Sequence, residues 1–297
     1  YQQGFNQILL DRSLHDLEQE TEFFRYPLNG AVNQLKTNIT LLARLPAVPG
    51  LVRAHLNNGI DPQDQATTTQ WANRLAAIMA QMLHTNREYL RIRFIAVAEG
   101  GPTELLRVAR VNGKIERAPD GELLRFGASP IIRHLLNLPA GAVYVSPVQL
   151  SREDGQIALP HVLTVRAGVP VFGEDGTIFG TIVIAADFGS VLSEMKRQIP
   201  SRSTLLITNS AGDYLAHPDS NALYATDLAH DRRLQQDYPL VMKNNGGHRA
   251  NAGHAVAGRQ RGGKDSRLPQ VFLRRGESKG LPWYCRRDTF PKHLEQD

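Results

Sequence analysis

Five side chains in this 297-residue sequence could together hold a small charged molecule: Asp187, Tyr144, Arg93, Arg107 and Arg166. Asp187 follows the apolar run Thr181 to Ala186, where a carboxylate without a partner would be costly. It must therefore meet a ligand cation, an arginine or backbone amides, or else cap the helix that follows. Arg91 and Arg93 alternate with Leu90, Ile92 and Phe94, so the arginines share one face of a strand, which meets solvent or lines a polar pocket. Arg107 and Arg110, three apart on the next strand, point to opposite faces. Tyr144 faces away from Val143 and Val145, and Arg166 is a candidate internal partner for Asp187. These residue types suit a small polar or carboxylate-bearing metabolite.

Other chemistries lack their parts. Gly258 to Lys264 has the spacing of a phosphate-binding loop, but Asp265 stands where Ser or Thr should be, and neither a buried strand before it nor a helix after it is visible. The histidines form no HExxH pair, and His248 and His254 sit in a glycine-rich stretch with no cysteine partner. The lone Cys285 excludes an internal disulfide and any CxxC site, and no Gly-x-Ser-x-Gly elbow occurs. No metal, no cofactor and no catalytic residue is expected. Residues 246–297 hold 11 Lys or Arg against 5 Asp or Glu, whereas residues 1–245 hold 23 against 24. The basic pI belongs to the tail, and the neutral body argues against nucleic-acid binding.

The elements that must position the five residues follow from periodicity. Leu10, Leu14 and Leu17, then Leu28, Val32, Leu35, Ile39 and Leu42 after Pro27, keep helical spacing, and the stripe serves as core, as a dimer seam, or as both. A second helix is expected over roughly Ala66 to Asn86, with Trp71, Leu75, Ile78, Met79 and Met82 on its core stripe. Strands are expected from Tyr89, through Arg107, over Ala142 to Ser146 and over Val162 to Val171. Gly173-Glu174-Asp175-Gly176 is a hairpin turn between apolar runs. Val191, Leu192 and Met195 form a short helix ending near Pro200, and Leu205 to Ile207, Asn209 to Gly212 and Tyr214 to Leu215 start a second strand-turn-strand unit. Past Lys243 the glycine-rich stretch Gly246 to Gly263 is too poor in apolar residues to offset the entropy of ordering. Only Gln270 to Leu273 and the region of Trp283 look fit for a sheet, which leaves a divergent module or a sequence change that replaces the native strands.

The run from Arg166 to Asp219, together with Tyr89 to Ile95, Glu104 to Val108, Gly141 to Pro147, Glu153 to Ile157 and the Ala216-His217-Pro218-Asp219 sequence, resembles the double Cache (double PDC) sensors of bacterial histidine kinases, diguanylate cyclases and chemoreceptors. The resemblance spans roughly Pro46 to Pro218. It implies an α/β (α+β) fold: a long N-terminal stalk helix over 1–45, a membrane-distal PAS-like module over 46–200 and a membrane-proximal PAS-like module over 201–297, each with an antiparallel sheet. It implies a ligand-binding carboxylate at Asp187 and a structural or pocket role for Arg93 and Arg107. It also implies a non-enzymatic, periplasmic or extracellular sensing portion of an inner-membrane receptor, homodimeric in the full receptor, with membrane helices and an output domain outside these residues. The Trp-Tyr pair of amino-acid-binding members is not reproduced. The alternative is a secreted α/β hydrolase or solute-binding protein.

Overall fold

In the computed structural model, the described residues are 26–127, 129–153, 156–199, 203–209, 211–237, 270–275 and 284–285. The expectations placed on Leu10, Leu14, Leu17, Gly246 to Gly263, the Gly258 to Lys264 loop, His248, His254 and Trp283 lie outside them. The chain divides into two compact units interleaved in sequence: one contains Val32–Ser146 and Thr164–Phe188, the other Tyr1–Ala31, Pro147–Leu163 and Gly189–Asp297. No described helix is long and apolar enough to cross a membrane.

The first unit is built on an antiparallel sheet whose strand path within the unit runs β3-β2-β1-β9-β8-β4. These are β1 (Tyr89–Ala96), β2 (Thr103–Val111), β3 (Lys114–Arg117), β4 (Tyr144–Val145), β8 (Leu163–Phe172) and β9 (Ile178–Asp187). Asp175 accepts from the amide and hydroxyl of Thr177 at 3.0 and 2.7 Å, closing the β8–β9 hairpin at the expected Asp-Gly turn. Strand β4 is two residues rather than the expected five, because Gly141 turns the chain at φ +79° before it and Pro147 ends it.

Three helices supply one layer. Helix α1 covers 26–44, with its residues from Val32 on in this unit, α2 is Ala47–Leu56 and α3 is Thr68–Thr85. Thr67 and Gln70 form a capping box at the start of α3, each side chain accepting the other's backbone N–H. Leu75, Met79 and Leu83 of α3 are buried, and the helix packs on β1, β2 and β3. Leu35, Ile39 and Leu42 of α1 are at most 1% exposed, so that stripe is core of this chain itself. Asn38 of α1 ties the layer to the sheet, donating to the Tyr89 hydroxyl at 2.8 Å and to Asn86 Oδ1 at 3.3 Å. Burial pushes the Tyr89 phenol up to about 12. Helix α4 (Pro130–Leu136), too short to show in sequence periodicity, packs on β9.

The second unit has its own antiparallel sheet, β11-β10-β12-β13, from β10 (Ser203–Thr208), β11 (Tyr214–Ala216), β12 (Gln270–Arg275) and β13 (Tyr284–Cys285). The expected strand at Gln270 is thus an interior one. Buried Asp213 is held by Arg233 at 2.7 Å, Asn209 at 2.9 Å and Thr226 at 2.6 Å. Helix α5 (Gly189–Arg197) and the short α6 (Leu234–Asp237) belong here, as does the excursion Pro147–Leu163 with β5 (Gln149–Leu150) and the β6–β7 hairpin (Arg152–Glu153, Gln156–Ile157). Asp227 fastens that excursion, accepting from the Leu150 amide at 2.9 Å and from Arg152 at 3.0 Å.

Candidate functional site

Strand register brings all five sequence-predicted residues onto one face of the first unit's sheet. Arg107 on β2 pairs with Arg93 on β1, which pairs with Val183 on β9; Val183 pairs with Gly168 on β8, and Gly168 with Tyr144 on β4. The neighbouring row runs Ala109, Arg91, Ala185, Arg166, and Ser146 receives the Arg166 amide on its hydroxyl at 3.0 Å. Asp187 pairs with Thr164 one row further along. Because side chains alternate along each strand, Arg91, Arg93, Arg107, Tyr144, Thr164, Arg166 and Asp187 all project from the face opposite α3. Arg110 projects to the α3 face, where its guanidinium donates to the Leu83 carbonyl, as the three-residue offset from Arg107 requires.

Glu104, which sequence reasoning did not single out as a site residue, organises the centre of this face. Its side chain has no exposure, and its carboxylate lies 2.7 Å from Arg93 Nε and 3.2 Å from Arg107 Nη1 while accepting the Leu124 amide at 2.9 Å. Arg107 also donates to the Glu122 carbonyl at 2.9 Å. Both arginines keep only a sliver of exposure, 18% and 17%. Burial, first, and then the positive charge of Arg91 bring the Arg93 guanidinium down to about 10; Glu104 pulls the other way, and Arg107 and Arg166 add to the depression. Four arginines and one buried carboxylate therefore feel one another here.

An apolar roof covers part of the face. Ile132 and Leu135 of α4 pack on Ile95 and Val183, flanked by Phe126, Ile131, Leu136, Leu138 and Tyr144. The Arg93 guanidinium lies 5.3 Å from the centre of the Phe126 ring, and the His134 ring sits 4.7 Å from that of Tyr144. Gly168 leaves room for this roof, since a Cβ there would stand 2.5 Å from the Leu135 side chain. Among the described residues no group of three or more His, Cys, Asp or Glu is placed to hold a metal ion. The arrangement is a positively charged, half-buried sheet surface closed from above by a short helix, which suits recognition of a small molecule.

The chain has the fold of the extracellular sensor domains of bacterial signalling receptors. It superposes on the extracellular domain of a histidine kinase with a TM-score of 0.59 at 19% identity, covering 79% of this chain and 77% of that one. The domain of a sensory box/GGDEF family protein from Vibrio parahaemolyticus gives 0.59 at 18% identity, covering 79% and 82%. The ligand-binding domain of the Campylobacter jejuni chemoreceptor Tlp3, solved with 4-methylisoleucine, gives 0.50 at 13% identity, covering 73% and 74%. No protein-family model matches the sequence, and no curated protein matches it either.

Proposed function

We propose that the chain is the extracytoplasmic ligand-sensing portion of a bacterial transmembrane receptor, with a histidine kinase or diguanylate cyclase as parent. In this reading a small polar or carboxylate-bearing metabolite binds the charged face of the first unit, touching Asp187 and Tyr144, with Arg93, Arg107 and Arg166 around it. The observation that carries it is the convergence of these side chains, by register, on one roofed face. A merely solvated strand face would have no apolar cover over it. The receptor folds it resembles, one of them solved with an amino-acid ligand, support the same class of function.

The organisation proposed is a stalk helix over 1–45, a membrane-distal sensor module over 46–200 and a membrane-proximal module over 201–297, with the Pro147–Leu163 excursion lent to the second compact unit. The stalk would bring two receptors together as a homodimer in the membrane, and the isolated portion would be a monomer or weak dimer because tethering no longer raises its effective concentration. Sensing requires no bond chemistry in this segment. A ligand that binds one arrangement of the roof over the sheet more tightly than another shifts their populations by that difference in affinity.

A thermal-shift screen of amino acids and organic acids against the wild type, Asp187→Ala and Tyr144→Ala tests the site. A hit should raise the melting temperature of the wild type and raise it less in both variants. Equal stabilisation of all three proteins would remove the ligand from this face.

A further inference from the structure

We propose that the first unit carries a further binding site, on the α3 face of its sheet, for a phosphate group borne by a small soluble molecule or by a lipid headgroup. It lies opposite the charged face and does not rest on the reading of that face. An open cleft of about 560 Å³ is lined there by His84, Arg87, Arg110, Gly113 and Ile115. Three elements supply its wall: the last turn of α3, the turn into β1 and the β2–β3 hairpin. Arg110 and Ile115 face each other across that hairpin by register, and Gly113 turns it at φ +80°.

No carboxylate lines the cleft. Glu116 pairs with Ala109, so it projects from the opposite face of the sheet together with Lys114. Glu88 adds to the raised phenol of Tyr89 and is no part of the wall. Arg117, next along β3 on the cleft's side, is engaged by Asn73 at 2.6 Å and by Asp120 at 3.9 Å. Arg110 has no such carboxylate: it gives one N–H to the Leu83 carbonyl, and its Nε is buried without a partner. The side chains of Arg87 and His84 have no partner among the described residues. A guanidinium carries five N–H donors, and a buried donor left unmatched costs free energy. Capping the end of α3 accounts for one donor of Arg110. It leaves Nε unmatched and two guanidiniums in one cleft with no counter-charge.

The dipole at the end of α3 opposes an anion, but two of its last carbonyls are taken, Met82 by the Asn86 side chain at 2.8 Å and Leu83 by Arg110. Donors arriving from three elements suit a tetrahedral oxyanion, whose oxygens point in several directions, better than a carboxylate, whose two oxygens share one plane. A cleft of this volume, with Ile115 as its apolar wall, also admits the organic part of a phosphate ester.

Titration calorimetry at low salt with glycerol 3-phosphate, inorganic phosphate and acetate tests this on the wild type, Arg87→Gln and Arg110→Gln. Arg133→Gln, which removes one exposed charge from the roof helix, is the control. Expected is binding of either phosphate at least ~10-fold tighter than of acetate, weakened at least ~10-fold in Arg87→Gln and Arg110→Gln, the worth of one charge-assisted hydrogen bond, and unchanged in Arg133→Gln. Arg87 is exposed, so its variant decides the question even if Arg110→Gln fails to fold. Co-sedimentation with phosphatidylcholine vesicles, with and without phosphatidate, locates the source. Phosphatidate-dependent capture that Arg87→Gln reduces assigns the phosphate to a headgroup, and soluble binding without such capture assigns it to a soluble ester. Capture that Arg87→Gln leaves intact belongs to the basic residues 246–297 and counts as none. Acetate as tight as phosphate, binding undiminished in Arg87→Gln, an equal loss in Arg133→Gln, or no binding in either assay would overturn this site. The thermal-shift result on the charged face would stand apart from all of these.

Discussion

Along β1 the two faces of one strand do opposite work. Ile92 and Phe94 have no exposure and face the α3 side of the sheet, while Arg91 and Arg93, their immediate neighbours, meet charges and, for Arg93, the face of the Phe126 ring. The apolar face holds the unit together by removing hydrocarbon from water, which is indifferent to small changes of chemistry but sensitive to volume. Around Glu104 the charged face is held by charge balance, and volume matters on it where α4 packs over the sheet. The strand pattern that stabilises the fold thus also delivers a prepared polar surface, and the two roles can be perturbed separately.

The largest expected effect is on the apolar side. Phe94→Ala removes a ring with no exposure that packs edge-on against Phe179 at 5.8 Å, and should cost about 3–5 kcal/mol in urea unfolding. Glu104→Gln should come next. Breaking a buried ion pair costs about 3–5 kcal/mol, and because Arg93 and Arg107 retain some water contact, about 2–3 kcal/mol is expected here. If Glu104→Gln were neutral, the charged face would not depend on its charge balance and the contrast between faces would fail. Gly168→Ala sharpens the comparison by volume on the charged side: its methyl meets Leu135 and should displace the α4 roof at a cost of about 1–3 kcal/mol, with a change in tyrosine fluorescence from Tyr144.

A smaller effect is expected away from both faces, in the loop between α2 and α3. Asp61 there accepts from Arg53 at 2.8 Å through both of its oxygens, from the Trp71 indole at 3.0 Å and from the Gln63 amide at 3.0 Å. The Arg53 hydrogen bonds, above all, hold its carboxyl down at about 2 against the opposing effect of burial. A carboxyl depressed on folding contributes stability that is fully present above its ordinary value of 3.8 and disappears as pH falls through about 2. The urea midpoint of the wild type should therefore fall more steeply over that window than that of Asp61→Asn. Parallel curves would mean the pairing survives in the unfolded chain.

Much of this face could be read from the sequence because period-two alternation is local. The arginines of β1 and the opposite directions of Arg107 and Arg110 follow from counting, and the Asp-Gly turn fixes where β8 meets β9. Glu104 escaped as the organising charge because its partnership is set across strands, and the register shifts between Phe94 and Ile95, a bulge that no single strand encodes. Helix α4 escaped because seven residues opening on a proline give too few turns for a hydrophobic stripe to declare itself. The first helix was read as a stripe with two uses, core or seam; burial in the folded chain decides the first for Leu35, Ile39 and Leu42, since only folding says which face the sheet takes.

The interleaving of the two units bears on how such a protein can be taken apart or exchanged. The chain passes from one unit to the other after Ala31, after Ser146, after Leu163 and after Phe188. No single cut anywhere in the sequence leaves both units in one piece each. A gene fragment starting at Gly189 would carry Asp227 without the Leu150 amide and Arg152 that it holds in the whole chain, leaving a carboxylate and an excursion-shaped gap where two partners should be. One chain of this fold therefore cannot be grafted onto another as a cassette joined at one point; a working hybrid must carry Pro147 to Leu163 along with the half that it serves.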